Sequence, residues 1–443
     1  MRSISGIRGI VGQALSPVLL ARYVNAYVQE VGQGRILVGR DTRDSGEMVQ
    51  AAVVSALVAS GCDAVLLGIS TTPTVEMAVQ ADDRAVGGII LTASHNPAQW
   101  NALKLLDKDG LFLGPDAVKR VFARVDANEE TWVEHHALGK VESHPGGDDL
   151  HIEKTLALPY LDVPALKARK FKVVVDAVNG AAYASGPALC RALGCEVVEL
   201  FVTPDGQFPR GAEPVPEALV PLGDAVRTHG ADVGLAFDPD GDRLALVDET
   251  GAPLGEEKTL ALAVDLVLAQ KKGSVMVNLS TSRMNEDLAA KHGVPFERTP
   301  VGEIHVSTRM LENGGLIGGE GNGGVILPEL HPGRDGLLAV AFTLEAMRRS
   351  GQKLSELSAA LPEYAMIKRK FALTAKPLGD AISALKAANP GVECDERDGF
   401  RLAWPDAWVH LRASNTEPVV RVIAEAPTEA HAEALCAQVE GLL

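Results

Sequence analysis

The 443-residue sequence predicts an α/β protein: three similar α/β domains followed by a smaller α+β C-terminal domain. Three observations carry that prediction. First, the order strand, polar loop, helix, glycine turn, strand occurs three times, in residues 35–68, 171–200 and 274–302. Second, each copy is followed by a strand of small apolar residues that runs into a polar loop: GGIILTASHNP, DVGLAFDPDGDR and GGLIGGEGNGG. Third, the pattern stops near Lys370. Beyond it lie a helix-like run (LGDAISALKAA), three short strands and a final helix (TEAHAEALCAQVEGLL). The expected domains are 1–150, 151–254, 255–366 and 367–443.

Each copy opens with a short β-branched run, as a buried strand requires. Gly61, Gly194 and Gly293 stand where a helix C-terminus calls for a left-handed residue. VESHPGGDD (141–149) reads as a linker, and HIEKTLALPYLDVPALKAR after it as one connecting helix. In open α/β sheets ligands sit beyond the carboxyl ends of the strands, so the three polar loops are candidates to converge on one cleft.

Composition narrows the function. Apolar residues make up 46% and charged residues 23%, which suits a globular enzyme and excludes coiled-coil or disordered classes. The net charge of −16 argues against nucleic-acid and anionic-membrane partners. Five scattered cysteines without a CxxC motif fit a reducing compartment. No apolar leader or membrane span is evident. The expectation is a cytoplasmic protein acting on a small molecule, with room for a homodimer.

Four loops carry candidate chemistry. In TASHNP (92–97), Ser94 falls on a tight bend after an apolar strand. A hydrolase triad is disfavoured because the G-x-S-x-G elbow is missing and His95 is too near to serve as its base. In DPDGDR (238–243), Asp238, Asp240 and Asp242 would repel one another unless a hard cation joined them. An EF-hand reading fails because Arg243 stands where that loop turns on glycine and the flanks read as strands. A solvated acidic loop is the plain alternative. In GGEGNGG (318–324), Glu320 and Asn322 among glycines suit sugar hydroxyls, and a structural Gly-rich loop would look similar. In RASNTEPVVR (412–421), Arg412, Ser414, Asn415 and Thr416 can cradle a phosphate, with Arg421 adding charge; a strand–turn–strand connection is the alternative.

Taken in this order, the four segments resemble the α-D-phosphohexomutase superfamily over essentially the whole chain. SGIRGIVG (5–12) and GRDTRDSG (39–46) resemble its N-terminal segments. The resemblance implies four domains around a deep central cleft, the first three with mixed sheets. It implies Ser94 as the phosphorylated nucleophile, with Mg²⁺ held by Asp238, Asp240, Asp242 and a phosphoserine oxygen. Lys104 matches a general acid/base, and Arg8 an arginine near the reacting phosphate. His95, Asn96, Arg243, Glu320 and Asn322 become substrate contacts, and residues 412–416 with Arg421 a phosphate site. The implied reaction moves a phosphoryl group between C6 and C1 of a hexose phosphate through a bisphosphate, which also serves as activator. Two departures bear on specificity. Asn322 and Gly324 stand where many bacterial members carry Ser and His, and Ala102 replaces the glycine of an aromatic-Asn-Gly step. With VGE (301–303), these features look most like the archaeal-type phosphoglucosamine mutase branch. Glucosamine phosphate is therefore the expected substrate, with mannose and glucose phosphates, or a non-catalytic sugar-phosphate sensor, as alternatives.

Overall fold

The computed structural model describes residues 2–3, 6–144, 146–372, 378–413 and 419–442. Seven strands form the first sheet: β1 (Arg2–Ser3), β2 (Gly6–Ile10), β3 (Arg35–Arg40), β4 (Asp63–Ile69), β5 (Ala85–Leu91), β6 (Trp100–Leu106) and β7 (Val141–Ser143). Their order is β1-β2-β6-β5-β3-β4-β7. Helices α1 (Pro17–Val31), α2 (Gly46–Ala59), α3 (Thr72–Ala81) and α4 (Pro115–Ala127) accompany them. Two helices, α5 (Gly147–Leu156) and α6 (Val163–Arg169), lead to the second unit. It comprises β8 (Lys172–Asp176), α7 (Ser185–Ala192), β9 (Glu196–Leu200), α8 (Val220–His229), β10 (Val233–Phe237) and β11 (Leu244–Val247), in the order β11-β10-β8-β9.

The third unit holds α9 (Glu257–Leu268), β12 (Ser274–Asn278), α10 (Met284–His292), β13 (Phe296–Thr299) and α11 (Glu303–Asn313). It continues through β14 (Gly315–Glu320), β15 (Gly324–Leu327), β16 (His331–Arg334), α12 (Gly336–Ser350) and α13 (Leu354–Ala359). Its sheet runs β13-β12-β14-β15-β16. The fourth unit is an antiparallel sheet, β17-β21-β20-β19-β18, with two helices. Its elements are β17 (Ala365–Ala372), α14 (Leu378–Ala388), β18 (Glu393–Asp395), β19 (Phe400–Ala403), β20 (Trp408–Ala413), β21 (Val419–Ala426) and α15 (Glu429–Glu440).

The three repeats share one topology. In each, a central strand (β3, β8 or β12) pairs in parallel with a neighbour on both sides. The second of these (β5, β10 or β14) then turns back into an antiparallel partner (β6, β11 or β15). The sheets are therefore mixed, and each polar loop is the reversal where parallel order ends. Gly61, Gly194 and Gly293 all have positive φ after their helices, as expected. The second and third units bury one continuous apolar cluster that includes Phe237, Leu260 and Phe342.

Two expectations are corrected. Val141–Ser143 is not linker but an edge strand paired with β4. All three of its residues are exposed, so no alternation betrays it. The single connecting helix is two helices, because Pro159 falls between them and the Asp162 side chain caps the second at Ala165. The fourth unit's first strand begins at Ala365.

One buried ion pair fixes where the second unit's loop emerges. Arg210 donates through Nε to Asp176 Oδ2 at 2.6 Å and through Nη2 to the carbonyl of Phe237, the last residue of β10. Arg210→Met leaves Asp176 without its buried counter-charge, and is expected to destabilise the protein by about 3–5 kcal/mol. A thermal melt of the variant checks this.

Candidate active site

Ser94 has φ 50, the left-handed region that a non-glycine residue enters at a cost of about 1–2 kcal/mol. Its surroundings hold it there. The Ser94 amide donates to Thr92 Oγ1 at 2.9 Å, and that hydroxyl donates to Asp41 at 2.7 Å. Fully buried Arg43 pairs with Asp41 and stacks on Phe208. Its remaining N–H groups reach the carbonyls of Ser94 (2.6 Å), Asn96 (2.7 Å), Pro97 (2.6 Å) and Trp100 (3.1 Å). One guanidinium thus spans the whole serine loop. The result presents Ser94 Oγ 3.3 Å from Asp238 Oδ2 and 3.4 Å from His95 Nδ1. Burial, reinforced by Arg243 and Arg8, pushes the His95 imidazole well below its usual range, so it is neutral.

The three aspartates are buried, and one oxygen from each lies within 4.8 Å of the others. Asp240 Oδ1 and Asp242 Oδ1 accept no hydrogen bond among the described residues. Buried, under-satisfied oxygens converging on one point fit a hard divalent cation. Burial and the neighbouring Asp242 and Asp240 charges push the Asp238 carboxyl well up. Burial also opposes ionisation of Asp240. Lys104, with Nζ 2.7 Å away, and the Thr72 hydroxyl overcome that and hold it below the carboxylate range. Lys104 itself is raised: burial works against its charge, and Asp240 and Asp242 outweigh it. It reaches this place because β2 and β6 pair antiparallel, which also sets Arg8 opposite Ala102. Arg8 donates to the Asn96 side chain, and Arg243 lies 3.6 Å from Asp242.

Glu320 ends β14 and accepts from Asn278 (2.7 Å), the Gly302 amide (3.0 Å) and Arg334 (2.8 Å). Asn322 Oδ1 has no partner among the described residues. In the fourth unit, register places Lys370, Arg421 and Arg412 side by side across β17, β21 and β20. Like charges in cross-strand register repel, so this row suits an anion. Arg412 also pairs with Asp398 at 3.3 Å. Ser414, Asn415 and Thr416 lie outside the described residues. One cavity of about 690 Å³ gathers the loops; Ser94, Lys104, Arg243, Glu320, Asn322 and the cation row all line it, as do Arg8, His95 and Asn96.

Three contributors escaped the sequence reading. Arg43 lies in a segment that was noted, but nothing in it marks a clamp for a loop fifty residues away. Lys370 follows Lys368 at strand spacing, a legible signal for a shared face. Arg334 carries no motif. It joins Asp242 (2.5 Å), Glu303 (3.1 Å) and Glu320, linking the acidic loop to the glycine-rich loop after β14.

Three repeats of one design and a distinct fourth unit bring together a serine, a three-carboxylate cluster and a row of cations, and comparison with known proteins shows the family. The models for phosphoglucomutase/phosphomannomutase alpha/beta/alpha domains I, II and III match residues 2–132, 149–251 and 255–364, and the C-terminal domain model matches 366–442. A phosphoglucomutase/phosphomannomutase of Thermococcus kodakarensis is 38% identical, covering 96% of this chain and 94% of its own. A probable phosphoglucosamine mutase of Methanopyrus kandleri is 36% identical, covering 97% and 95%. The crystal structure of a phosphoglucomutase/phosphomannomutase family protein from Burkholderia thailandensis superposes with a TM-score of 0.87 at 28% identity, covering 100% and 98%. The chain belongs to the phosphoglucomutase/phosphomannomutase family of the α-D-phosphohexomutase superfamily. No helix among the described residues is long and apolar enough to cross a membrane.

Arg43→Lys keeps the charge and loses the fork. A misplacement of a reacting group by about 1 Å costs on the order of a hundredfold, so kcat is expected to fall by about that factor. Steady-state kinetics alongside circular dichroism checks that the loss is catalytic.

Proposed function

We propose that the protein interconverts hexose 6-phosphates and hexose 1-phosphates through phospho-Ser94, with glucosamine phosphate as its preferred substrate. The observation that carries the reading is a single cavity lined by a strained serine and a row of three cations, with a buried three-carboxylate cluster that comes within 3.3 Å of the serine hydroxyl at Asp238.

Asp238, Asp240 and Asp242, with a phosphoserine oxygen, would hold Mg²⁺, which supplies charge neutralisation for the transferring phosphoryl group. The row of Lys370, Arg421 and Arg412 anchors the phosphate that is not being transferred. A sugar hydroxyl then displaces Ser94 Oγ from phosphorus: the O–P bond to the sugar forms, and the O–P bond to serine breaks. The attacking hydroxyl gives up its proton as the serine oxygen takes one up: Lys104, held as an ammonium, suits delivery to the serine oxygen, and the neutral His95 imidazole beside Ser94 suits receipt of the hydroxyl proton. The bisphosphate turns over within the cleft, its other phosphate returns to Ser94, and the product carries the phosphoryl group at the second carbon. Positioning and charge do most of this work, as in phosphoryl transfer generally.

The glucosamine preference rests on Asn322 and Glu320. A carboxylate offers about four lone-pair sites, and Glu320 commits three to protein donors. The remaining site and the Asn322 carbonyl are acceptors for a cationic C2 amine, where glucose and mannose carry a hydroxyl. A charge-assisted hydrogen bond is worth about 1.5–3 kcal/mol, about ten- to a hundredfold in kcat/KM. If both residues instead bind the shared C3 and C4 hydroxyls, the enzyme is promiscuous. Comparing kcat/KM for glucosamine, glucose and mannose phosphates decides between them; equal values refute the glucosamine preference and leave the mutase reading standing.

The nucleophile has its own test. Intact mass is expected to show a phosphoryl adduct that Ser94→Ala lacks, and that variant is expected to lose turnover while staying folded. Retention of more than about a hundredth of the rate, a loss of only ~2.7 kcal/mol, would show that another group carries the phosphoryl. Asp240→Asn, or excess chelator, is likewise expected to abolish activity without unfolding the protein.

A further inference from the structure

Behind the acidic loop lies a buried chain of polar side chains that the proposed reaction does not use. Thr74 Oγ1 on α3 is 2.9 Å from His151 Nδ1 on α5. His151 Nε2 is 2.8 Å from Asp335 Oδ2, in the residue that caps α12. The same oxygen takes His331 Nε2 at 3.1 Å; His331 Nδ1 accepts the Gly333 amide at 3.1 Å and lies 3.4 Å from Glu76 Oε2 on α3, which has no hydrogen-bond partner among the described residues. The two rings meet edge to face. A carboxylate only accepts, so both imidazoles present N–H from Nε2; the Thr74 hydroxyl also lies 2.8 Å from Thr71 Oγ1 and 3.4 Å from Asp148 Oδ1. Asp335 Oδ1 accepts the amides of Leu337 and Leu338. His151, Thr74 and Asp335 have no exposed surface.

The two helices joined by this chain are the two that grip the acidic loop. The Thr72 amide, at the start of α3, donates to the Asp240 carbonyl at 2.8 Å, and its hydroxyl donates to Asp240 Oδ2 at 2.7 Å. The Gly336 amide, at the start of α12, donates to the Gly241 carbonyl at 3.1 Å. First-turn amides have no partner within their own helix, so the loop carbonyls fill that need. Gly241, at φ 69, lies so close to α3 that a Cβ there would meet Thr71 Cγ2 at 2.7 Å, and one on Gly336 would meet the Gly241 carbonyl at 2.7 Å. The loop is held between two helix ends with no slack, and its shape depends on their separation.

We propose that His151, bridging Thr74 on α3 to the Asp335 cap of α12, is a positioning residue for the acidic loop. It sets the separation of the two helix N-termini and thereby the affinity of the Asp238–Asp242 cluster for a divalent cation. The proposal rests on the metal reading given above. His151 touches neither substrate nor metal; it acts through Thr72, Gly336 and the loop backbone.

The test is Mn²⁺ binding to the unphosphorylated full-length protein, followed by electron paramagnetic resonance, for wild type, His151→Phe, His151→Gln and Thr74→Val. Mn²⁺ stands in for Mg²⁺ because it accepts the same oxygen ligands. Removing groups that orient metal ligands costs about 10–100-fold in affinity. His151→Phe and Thr74→Val are expected to weaken Mn²⁺ by about tenfold, the low end of that range, and His151→Gln, which can still reach Asp335, by less. Calorimetric binding of glucosamine 6-phosphate to the cation-free protein is expected to stay at the wild-type value. Lower melting temperatures with unchanged Mn²⁺ affinity would overturn the proposal and reduce the chain to a staple between helices. If His151→Phe fails to fold, Thr74→Val, a near-isosteric change, decides alone. A wild-type protein that binds no Mn²⁺ overturns the metal reading and this proposal together; binding that is equal in all variants overturns this proposal only.

Discussion

Three carboxylates buried within 4.8 Å of one another are the constraint around which the protein is arranged. Their mutual repulsion in a poorly hydrated interior would expel the loop from the cleft unless opposing charge were brought to it. It arrives from every side. Lys104 comes from the first unit, Arg243 from the loop itself and Arg334 from the third unit. The first-turn amides of α3 and α12 add the positive ends of two helices. None of these groups belongs to the strand that delivers the aspartates. The site thus depends on the contact between units more than on any one of them, and Asp240 Oδ1 and Asp242 Oδ1 are left without a hydrogen bond among the described residues, where a hard cation would fit.

The repeated topology explains how separate units can meet in this way. A parallel strand cannot turn directly into a parallel neighbour, but it can turn tightly into an antiparallel one. Each unit makes that tight turn at the carboxyl end of its sheet, between β5 and β6, β10 and β11, or β14 and β15. A short reversal has little room for movement, so what it presents is rigid. The serine loop is the longest of the three and has the strained residue, and it is the one that needs a dedicated clamp in Arg43. The acidic loop is braced by helices and the sugar loop by Arg334, each from outside the hairpin that carries it.

Much of this was legible in the sequence. The threefold order of elements, the three loaded loops and the distinct fourth unit could all be read because each has a local signature: β-branched runs, C-terminal glycines, alternating aspartates. Ser94 and the three carboxylates were legible because each sits in a motif of six residues. What escaped lacks such compression. Arg43 acts on carbonyls about fifty positions away, and its own neighbours look like any polar loop. Lys370 gains meaning only from a register that sets it beside Arg421. The edge strand at Val141 pairs on one side and is solvated on all its residues, so its composition is that of a linker. Sequence pattern reports local periodicity and burial; it does not report which distant backbone a guanidinium will span.

Arg334 shows how the departures from the family pattern fit together. By the resemblance noted in the sequence, Gly324 stands where many bacterial members of the family carry a histidine. A Cβ on Gly324 would lie 2.4 Å from Arg334 Cδ, so the arginine fills the room that a side chain at 324 would need. The exchange is not neutral in chemistry. A histidine can accept and return a proton near neutral pH, whereas a guanidinium stays charged throughout. Three carboxylates reinforce that: although burial opposes its charge, Asp242, Glu303 and Glu320 drive Arg334 further from deprotonation. This side of the cleft therefore contributes fixed positive charge and geometry.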